Sequence, residues 1–455
     1  MMRPLALSEL RLPLEGQLYG TDCDILGVST DSRSLRAGDV FVALHGDQFD
    51  GQQYVQKVSA AGAVAAIVRE TVVSSLPQLQ VADTQRALGL LGAYNRQQYS
   101  GTLVGITGSS GKTTVKNMVH AVLSQRGDTL ATKGNFNNEI GVPLTLLRLR
   151  PGIEFAVVEM GAAKPGDIAW LCELACPTVA LLLNAMPAHL EGLGTVEGVA
   201  AAKGEIFDRL VTTDVAIINA DQPWSRQWRK RAAAATIIDF GLEQPASISA
   251  RNIQGMGVRG ISFTVSTPIG DMSMRLNLPG VHNVANALAA VAVGLACELP
   301  LADIRDGLES LQPSDGRLRS MLSLSGAAII DDCYNANPGS VRAAIDMLAT
   351  CSGQRTLVLG AMRELGRGSR EFHKEVGAYA LDAGIEQLWG VGPELEVCVE
   401  AFGARGRFFA DRAAALVDIE GQFGEDDTVL VKGSRSAGME RVLHALLPHK
   451  KSQEH

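Results

Sequence analysis

The segment "GITGSSGKTT", Gly105 to Thr114, places a glycine-rich turn directly before a lysine and two threonines. An apolar run, "TLVGIT", precedes it, and Val115, Met118, Val119, Val122 and Leu123 follow at helical spacing. The turn is therefore expected between a strand and a helix N-terminus, where free backbone N–H groups and the helix dipole favour an anion. Gly108, Ser109, Ser110 and Gly111 would cradle nucleotide phosphates. Lys112 would neutralise the terminal ones, and Thr113 or Thr114 would offer a hydroxyl to Mg2+. The longer G-x-x-x-x-G-K spacing is not met, because Ile106 stands six residues before Lys112; the chain carries the shorter G-x-x-G-K-T-T. A purely structural glycine turn is the bland alternative.

Other chemistry-bearing residues stand at the ends of further apolar runs. Glu159 closes "FAVVE", and a carboxylate at a strand tip beside a phosphate loop suits a second Mg2+ contact. A solvated strand-end glutamate is the alternative. Asn184 and His189 follow "TVALLL"; His189 taken alone reads as a structural or hydrogen-bonding histidine. Lys203 lies in an alanine-rich helical stretch and reads by itself as a surface lysine.

The elements that must position these groups are legible as rhythm. A chain of 455 residues exceeds one compact core, so two or three domains are expected. Up to Asp83, "DVFVAL" and "AVAAIV" bracket a helical stretch from Gln52 to Ala61. From Thr84 strands and helices alternate, and the strands "TLVGIT", "FAVVEM", "TVALLLN" and "DVAIIN" are apolar throughout, as in a parallel sheet covered on both faces. Ser247 to Leu278 alternates as an antiparallel edge would, and a helix is expected from Asn283 to Cys297. The turn-rich "QPSDGRL" marks a boundary near Pro313, after which "AAIIDD", "RTLVLG", "QLWGVG" and "DTVLVKGS" alternate with helices such as Ser340 to Ala349.

The reading is an α/β protein of three domains: a small α/β N-terminal domain (1–83), a central P-loop parallel-sheet domain (84–312) and a C-terminal Rossmann-like α/β domain (313–455). Net charge of −8 argues against nucleic-acid binding, and the polar tail "HKKSQEH" reads as a frayed terminus. No secretory signal is read in "MMRPLALSELRLPLEG", and Ala285 to Cys297 is too short to span a bilayer, so membrane insertion is not expected. Seven scattered cysteines suit reduced thiols and a cytoplasmic location; Cys172 and Cys176 lack a second pair at metal-site spacing.

With "STDSR", "GDVFVAL" and "FDG" at the start, "GSSGKTT", "KGNFNNEIGVP", "VVEMG", "AHLEGLG", "AAKGEIF" and "GVHNVANALAA" in the middle, and "SDGR", "DDCYNANPGS" and "VKGSR" after that, the sequence resembles the Mur ligases nearly end to end. These are ATP-dependent amide-forming enzymes of peptidoglycan precursor synthesis. Within the family, "YNANP" with "GNFNNEIGVP" points to the branch that joins D-Ala-D-Ala to UDP-MurNAc-tripeptide. No Asp-Asn-Pro-Arg motif for an acidic third-residue substrate is present. A folylpolyglutamate synthase-like ligase and a P-loop ATPase switch are the alternatives.

The resemblance implies roles. Lys112 and Thr113 map to the ATP phosphate loop, Glu159 and His189 to metal binding, with two Mg2+ ions expected, and Lys203 to a lysine that reacts with carbon dioxide to give a carbamate. Asn286 maps to the adenine side; Arg317 and Asp332 map to ATP contacts completed on domain closure. Ser29, Asp31, Ser32 and Arg33 are candidates for the UDP end of the substrate, or a capped turn with a surface ion pair. Asn135, Asn137 and Asn138 are candidates for sugar or diphosphate contacts, or a loop of mutually bonded asparagines. Tyr334, Asn335 and Asn337 are candidates for the dipeptide, with Asn337 extended before Pro338. "VKGSR" is open between a phosphate or carboxylate contact and a basic loop. A monomer is expected. One departure stands out: where the family often has Gly-Asp-Met after "RTLVLG", this chain has Gly360-Ala361-Met362, with Glu364 nearby.

Overall fold

The computed structural model describes residues 4–46, 49–419 and 421–448; the tail "HKKSQEH" lies outside them. Three principal sheets follow one another along the chain. The first has five strands in the order Gln17–Tyr19, Gln78–Gln80, Ala65–Val68, Asp39–Val42, Gly27–Ser29, with only Gln17–Tyr19 antiparallel. The helical stretch expected from Gln52 is a 3-10 turn, Gly51–Tyr54, running into an α-helix, Val55–Ala60. Asp50 of "FDG" starts it by accepting a hydrogen bond from the Gln52 N–H. The helix Thr84–Gln97 buries Ala87, Leu88 and Leu91 in the core of this sheet.

The second sheet has six parallel strands in the order Thr129–Ala131, Phe155–Glu159, Thr102–Thr107, Val179–Leu182, Val215–Asn219, Thr236–Phe240. Its strands are apolar throughout because both faces are covered. Val104, Ile106 and Val157 face a core shared with the helices Lys112–Leu123 and Val281–Ala296, whereas Leu103, Ala156 and Val158 face one shared with Asp167–Ala175 and Val196–Gly204. The register pairs Ile106 with Glu159 and Thr107 with Leu182. The phosphate loop, Glu159 and the segment carrying Asn184 and His189 therefore leave the same carboxyl edge, where ligand crevices of open α/β sheets form.

The expectation of an antiparallel edge between Ser247 and Leu278 is corrected. Ser249–Gly255, Ile261–Thr267 and Gly270–Leu276 form a separate three-stranded antiparallel sheet, and the edge of the parallel sheet is the strand Thr236–Phe240. Phe263, Val265, Met272, Met274 and Leu276 turn one face into the core beside the helix Val281–Ala296, so this sheet packs on the domain instead of extending its ladder.

The third sheet also has six strands, in the order Arg319–Leu322, Ala328–Asp332, Asp427–Lys432, Gln354–Gly360, Gln387–Val391, Gly406–Phe409; the first is antiparallel and the rest parallel. The helix Pro338–Ala349 starts on Asn337, which is extended at φ −140 and ψ 165 before the proline. Together the sheets give the three-part α/β architecture with a central parallel-sheet unit. Among the described residues no helix is long and apolar enough to cross a membrane.

Candidate active-site cleft

A cleft of about 940 Å³ lies between the carboxyl edges of the second and third sheets. Its lining brings together Ser109 to Thr114, Glu159, Asn184 and His189 from one side, and Arg317, Asp332, Tyr334, Asn335, Asn337 and Arg435 from the other. Asn286, Asn135, Asn137 and Asn138 also line it, whereas Ser29, Asp31, Ser32 and Arg33 do not.

The phosphate loop is held from below. Asn184 accepts the Ser109 N–H at its carbonyl (3.1 Å) and the Ser110 N–H at its side-chain oxygen (2.9 Å), and its amide donates back to the Ser110 carbonyl. Gly111 turns the chain at φ +81, and a Cβ there would stand 2.7 Å from Asn286 Oδ1, so the position requires glycine. The N–H groups of residues 111–114 have no partner among the described residues, as the first turn of a helix leaves them. Lys112 Nζ donates to the Gly108 carbonyl at 2.7 Å. Burial pushes its pKa down, against the pull of Glu159.

Glu159 is buried and has three neighbours with hydrogen to donate. The Thr113 hydroxyl donates to Oε2 at 2.9 Å, Asn137 Nδ2 donates to Oε1 at 2.8 Å, and Lys116 Nζ lies 3.6 Å from Oε2. Lys116 also donates to the Gly134 carbonyl at 3.0 Å, and burial holds its pKa down. It was missed in the sequence; its place one turn after Lys112 on a face otherwise apolar was the available signal. Asn138 accepts the Gly141 N–H at 3.0 Å, and the Asn135 side chain is exposed. The asparagines therefore do not bond one another through their side chains.

Lys203 contradicts its surface reading. It is completely buried, and Nζ has no hydrogen-bond partner among the described residues. Burial, and then the charge of Lys112, hold the amine well below the ordinary lysine value. Lys203 and Gly108 do not reach the cleft lining themselves. His189 has φ +55 and caps the short helix Leu190–Leu193; its Nδ1 lies 2.5 Å from Glu364 Oε2, across the cleft. Three residues after Ala361, Glu364 brings a carboxylate into contact with His189.

On the opposite wall the Arg317 guanidinium lies 4.1 Å over the Tyr334 ring. Lys432 is buried and donates to Asp332 Oδ2 at 2.5 Å and to the Asn335 carbonyl at 3.0 Å; burial pushes the Asp332 carboxyl up against that pull. In the basic motif "VKGSR", Lys432 braces the wall, and Lys432, Ser434 and Arg435 all line the cleft. Asn337 accepts the Ser340 N–H as a helix cap, which occupies its side-chain oxygen. Away from the cleft, Asp31 binds Arg33 at 2.7 Å and accepts the Arg33 N–H, the capped-turn arrangement, and its carboxyl is held down to about 2 by those hydrogen bonds.

Among the described residues no three His, Cys, Asp or Glu side chains converge as a preformed metal cage. Thr113 and Glu159 supply hard oxygens side by side, which suits Mg2+ shared with phosphate oxygens. All the cysteines are free; Cys172 is buried against Met160 and Cys176 is exposed.

A phosphate loop on a parallel sheet, faced across a polar cleft by a second α/β unit, defines a nucleotide-dependent enzyme that works between two domains. Residues 24–90 match the Mur ligase family catalytic domain, 106–294 the Mur ligase middle domain and 316–435 the Mur ligase glutamate ligase domain. The chain is 44% identical to the UDP-N-acetylmuramoyl-tripeptide--D-alanyl-D-alanine ligase of Escherichia coli (strain K12), covering 98% of this chain and 99% of that one. A crystal structure of MurF from Acinetobacter baumannii superposes with TM-score 0.93 at 35% identity, covering 98% and 99% of the two chains. MurF from Thermotoga maritima in complex with ADP superposes with TM-score 0.84 at 31% identity, covering 92% and 96%. The chain belongs to the Mur ligase family, and so to the ATP-dependent ligases that form a C–N bond.

Proposed function

We propose that this chain joins D-Ala-D-Ala to UDP-MurNAc-tripeptide, converting ATP to ADP and phosphate and forming the pentapeptide precursor of peptidoglycan. The observation that carries the reading is end-to-end similarity to relatives of that name, together with a cleft that sets the phosphate loop opposite Tyr334, Asn335 and Arg435. The carboxylate of the tripeptide attacks the γ-phosphorus, ADP leaves, and the amine of the dipeptide attacks the acyl phosphate carbon and expels phosphate. The chain's work is charge neutralisation, alignment and exclusion of water.

The free N–H groups of residues 111–114 and the Lys112 ammonium hold the β and γ phosphates. Thr113 and Glu159 would hold one Mg2+, which when bound would supply positive charge against the phosphate oxygens. A carbamate on Lys203 would bring negative charge for a second, with His189 on the cleft side. The Lys203 amine attacks carbon dioxide, an N–C bond forms, one C=O π pair moves to oxygen and a proton leaves to water. The buried, partnerless amine with its lowered pKa supports this, because only the neutral form is nucleophilic.

Asn286 lies on the adenine side, and Arg317 and Asp332 approach the nucleotide as the domains close. The UDP end lies along the first domain near Ser29, Asp31, Ser32 and Arg33, with Asn135 and Asn138 toward the diphosphate. Tyr334, Asn335 and Asn337 stand on the dipeptide side. The division 1–83, 84–312 and 313–455 follows these tasks. A cytoplasmic monomer is the reading, and scattered free thiols are consistent with a reducing compartment. Mass spectrometry of the UDP-linked product tests the reading: a gain equal to D-Ala-D-Ala less water is expected, and a glutamate adduct on a folate would replace it.

A further inference from the structure

His189 and Glu364 face each other across the cleft, each with a left-handed backbone that side-chain-bearing residues rarely adopt: φ is +55 at His189 and +62 at Glu364. A hydrogen bond and an ion-pair contact join the two segments. The Leu190 N–H donates to the Glu364 carbonyl at 3.0 Å, and His189 Nδ1 lies 2.5 Å from Glu364 Oε2. An ionised carboxylate only accepts, so Nδ1 carries the hydrogen in this contact. His189 Nε2 has no protein partner among the described residues, and the residue lines the cleft.

Glu364 is presented by a braced loop. Ser434 N–H donates to the Ala361 carbonyl at 3.0 Å, and Arg363 N–H donates to Ser434 Oγ at 2.9 Å. The Met362 N–H donates to Nε2 of His373 at 3.0 Å, so that fully buried ring carries its proton on Nδ1, which donates to the Ser369 carbonyl at 2.7 Å. The loop belongs to the third sheet and its contact belongs to the second.

We propose that Glu364 is a positioning residue that fixes the ring and tautomer of His189 from the opposite domain, so that Nε2 is turned to a divalent cation only when the two domains are docked. This rests on the reading of His189 as a cation ligand given above. A carboxylate that accepts from the far nitrogen of a ligating imidazole orients the ring and raises its basicity. Here that carboxylate arrives with domain docking, so cation binding and docking are linked.

The test is Mn2+ binding to the full chain with ADP, read by electron paramagnetic resonance, for the natural protein, Glu364→Ala, Glu364→Gln, His189→Ala and the double variant; metal-free ADP affinity and thermal unfolding check folding. Loss of one Mn2+ site's affinity by roughly 10- to 100-fold in Glu364→Ala, recovery of most of it in Glu364→Gln, which keeps an acceptor oxygen, and no loss beyond that of His189→Ala when Glu364→Ala is added to it are expected. Weakening by His189→Ala alone, with Glu364→Ala at the natural affinity, overturns the positioning role while leaving His189 as a ligand. Natural affinity in both variants overturns the ligand reading itself, and additive losses in the double variant show that Glu364 does not act through His189.

Discussion

The Thr113 hydroxyl lies 2.9 Å from Glu159 Oε2, joining the first turn of the phosphate-loop helix to the tip of the neighbouring strand. The pairing follows from the sheet: Glu159 is opposite Ile106, two residues before the loop begins at Gly108. Two oxygens of suitable hardness thereby share the cleft edge nearest Lys112. Glu159→Gln keeps the shape and the Asn137 contact but removes the charge. We expect kcat to fall about 100-fold or more, with a raised Mg2+ requirement, in steady-state kinetics over a Mg2+ series. Natural kinetics would remove Glu159 from the cation site.

Lys203 yields a prediction of pH dependence. Its folded pKa is lowered, so between that value and the ordinary one of an unfolded lysine the unfolded chain binds more protons. The destabilisation is fully present below the folded pKa and fades as pH rises toward the unfolded value. In carbon dioxide-free buffer, Lys203→Met should therefore unfold at higher denaturant than the natural chain, with the difference shrinking as pH rises. The same variant, like Lys203→Ala, should lose activity by roughly 1,000-fold. High bicarbonate should not restore Lys203→Ala, whereas small added carboxylates should restore it in part. A fully active Lys203→Ala would end the carbamate assignment.

Lys116 ties the asparagine loop to Glu159 through Gly134 and Asn137. In Lys116→Met the amides of residues 133–141 should exchange with deuterium about 10-fold faster, since the loop loses a charge-assisted bond worth on the order of 1.5–3 kcal/mol. Hydrogen-exchange mass spectrometry reads this directly. Unchanged exchange would make Lys116 a bystander of the loop.

Lys432, buried, and Asp332, partly buried at the cleft edge, form an ion pair on the opposite wall. Asp332→Asn leaves the Lys432 ammonium buried beside a neutral amide. The expected cost is about 3–5 kcal/mol, read by denaturant unfolding, together with reduced turnover. Asp332→Asn with Lys432→Met should recover much of the stability but not the turnover. Stability lost equally in the double variant would show that the pair is not what holds this wall.

Much of this arrangement is legible in the sequence where local and global signals agree. The "GSSGKTT" turn needs a strand before it and an apolar-faced helix after it, and both are written in adjacent residues. Glu159 is readable because a strand that is apolar throughout ends on a charge. Lys203 is not readable in this way: its helix is rich in alanine, which packs or faces water equally well, so its burial is decided only when Val199, Ala200 and Ala202 of that helix enter a tertiary core. Alternation after Ser247 reveals half-buried strands and not which ladder they join, so they read as an edge of the parallel sheet, and the edge strand itself, Thr236–Phe240, goes unread. The contact between His189 and Glu364 spans two domains, and no local pattern encodes it beyond a polar loop where an expected aspartate is missing.

The most direct test of the account is phosphate release from ATP and Mg2+, measured with UDP-MurNAc-tripeptide and D-Ala-D-Ala together, with each alone, and with a folate plus glutamate. The account predicts sustained release only when the first pair is complete. Release that ignores both acceptors, as from an ATPase switch, or release with folate and glutamate, would contradict it.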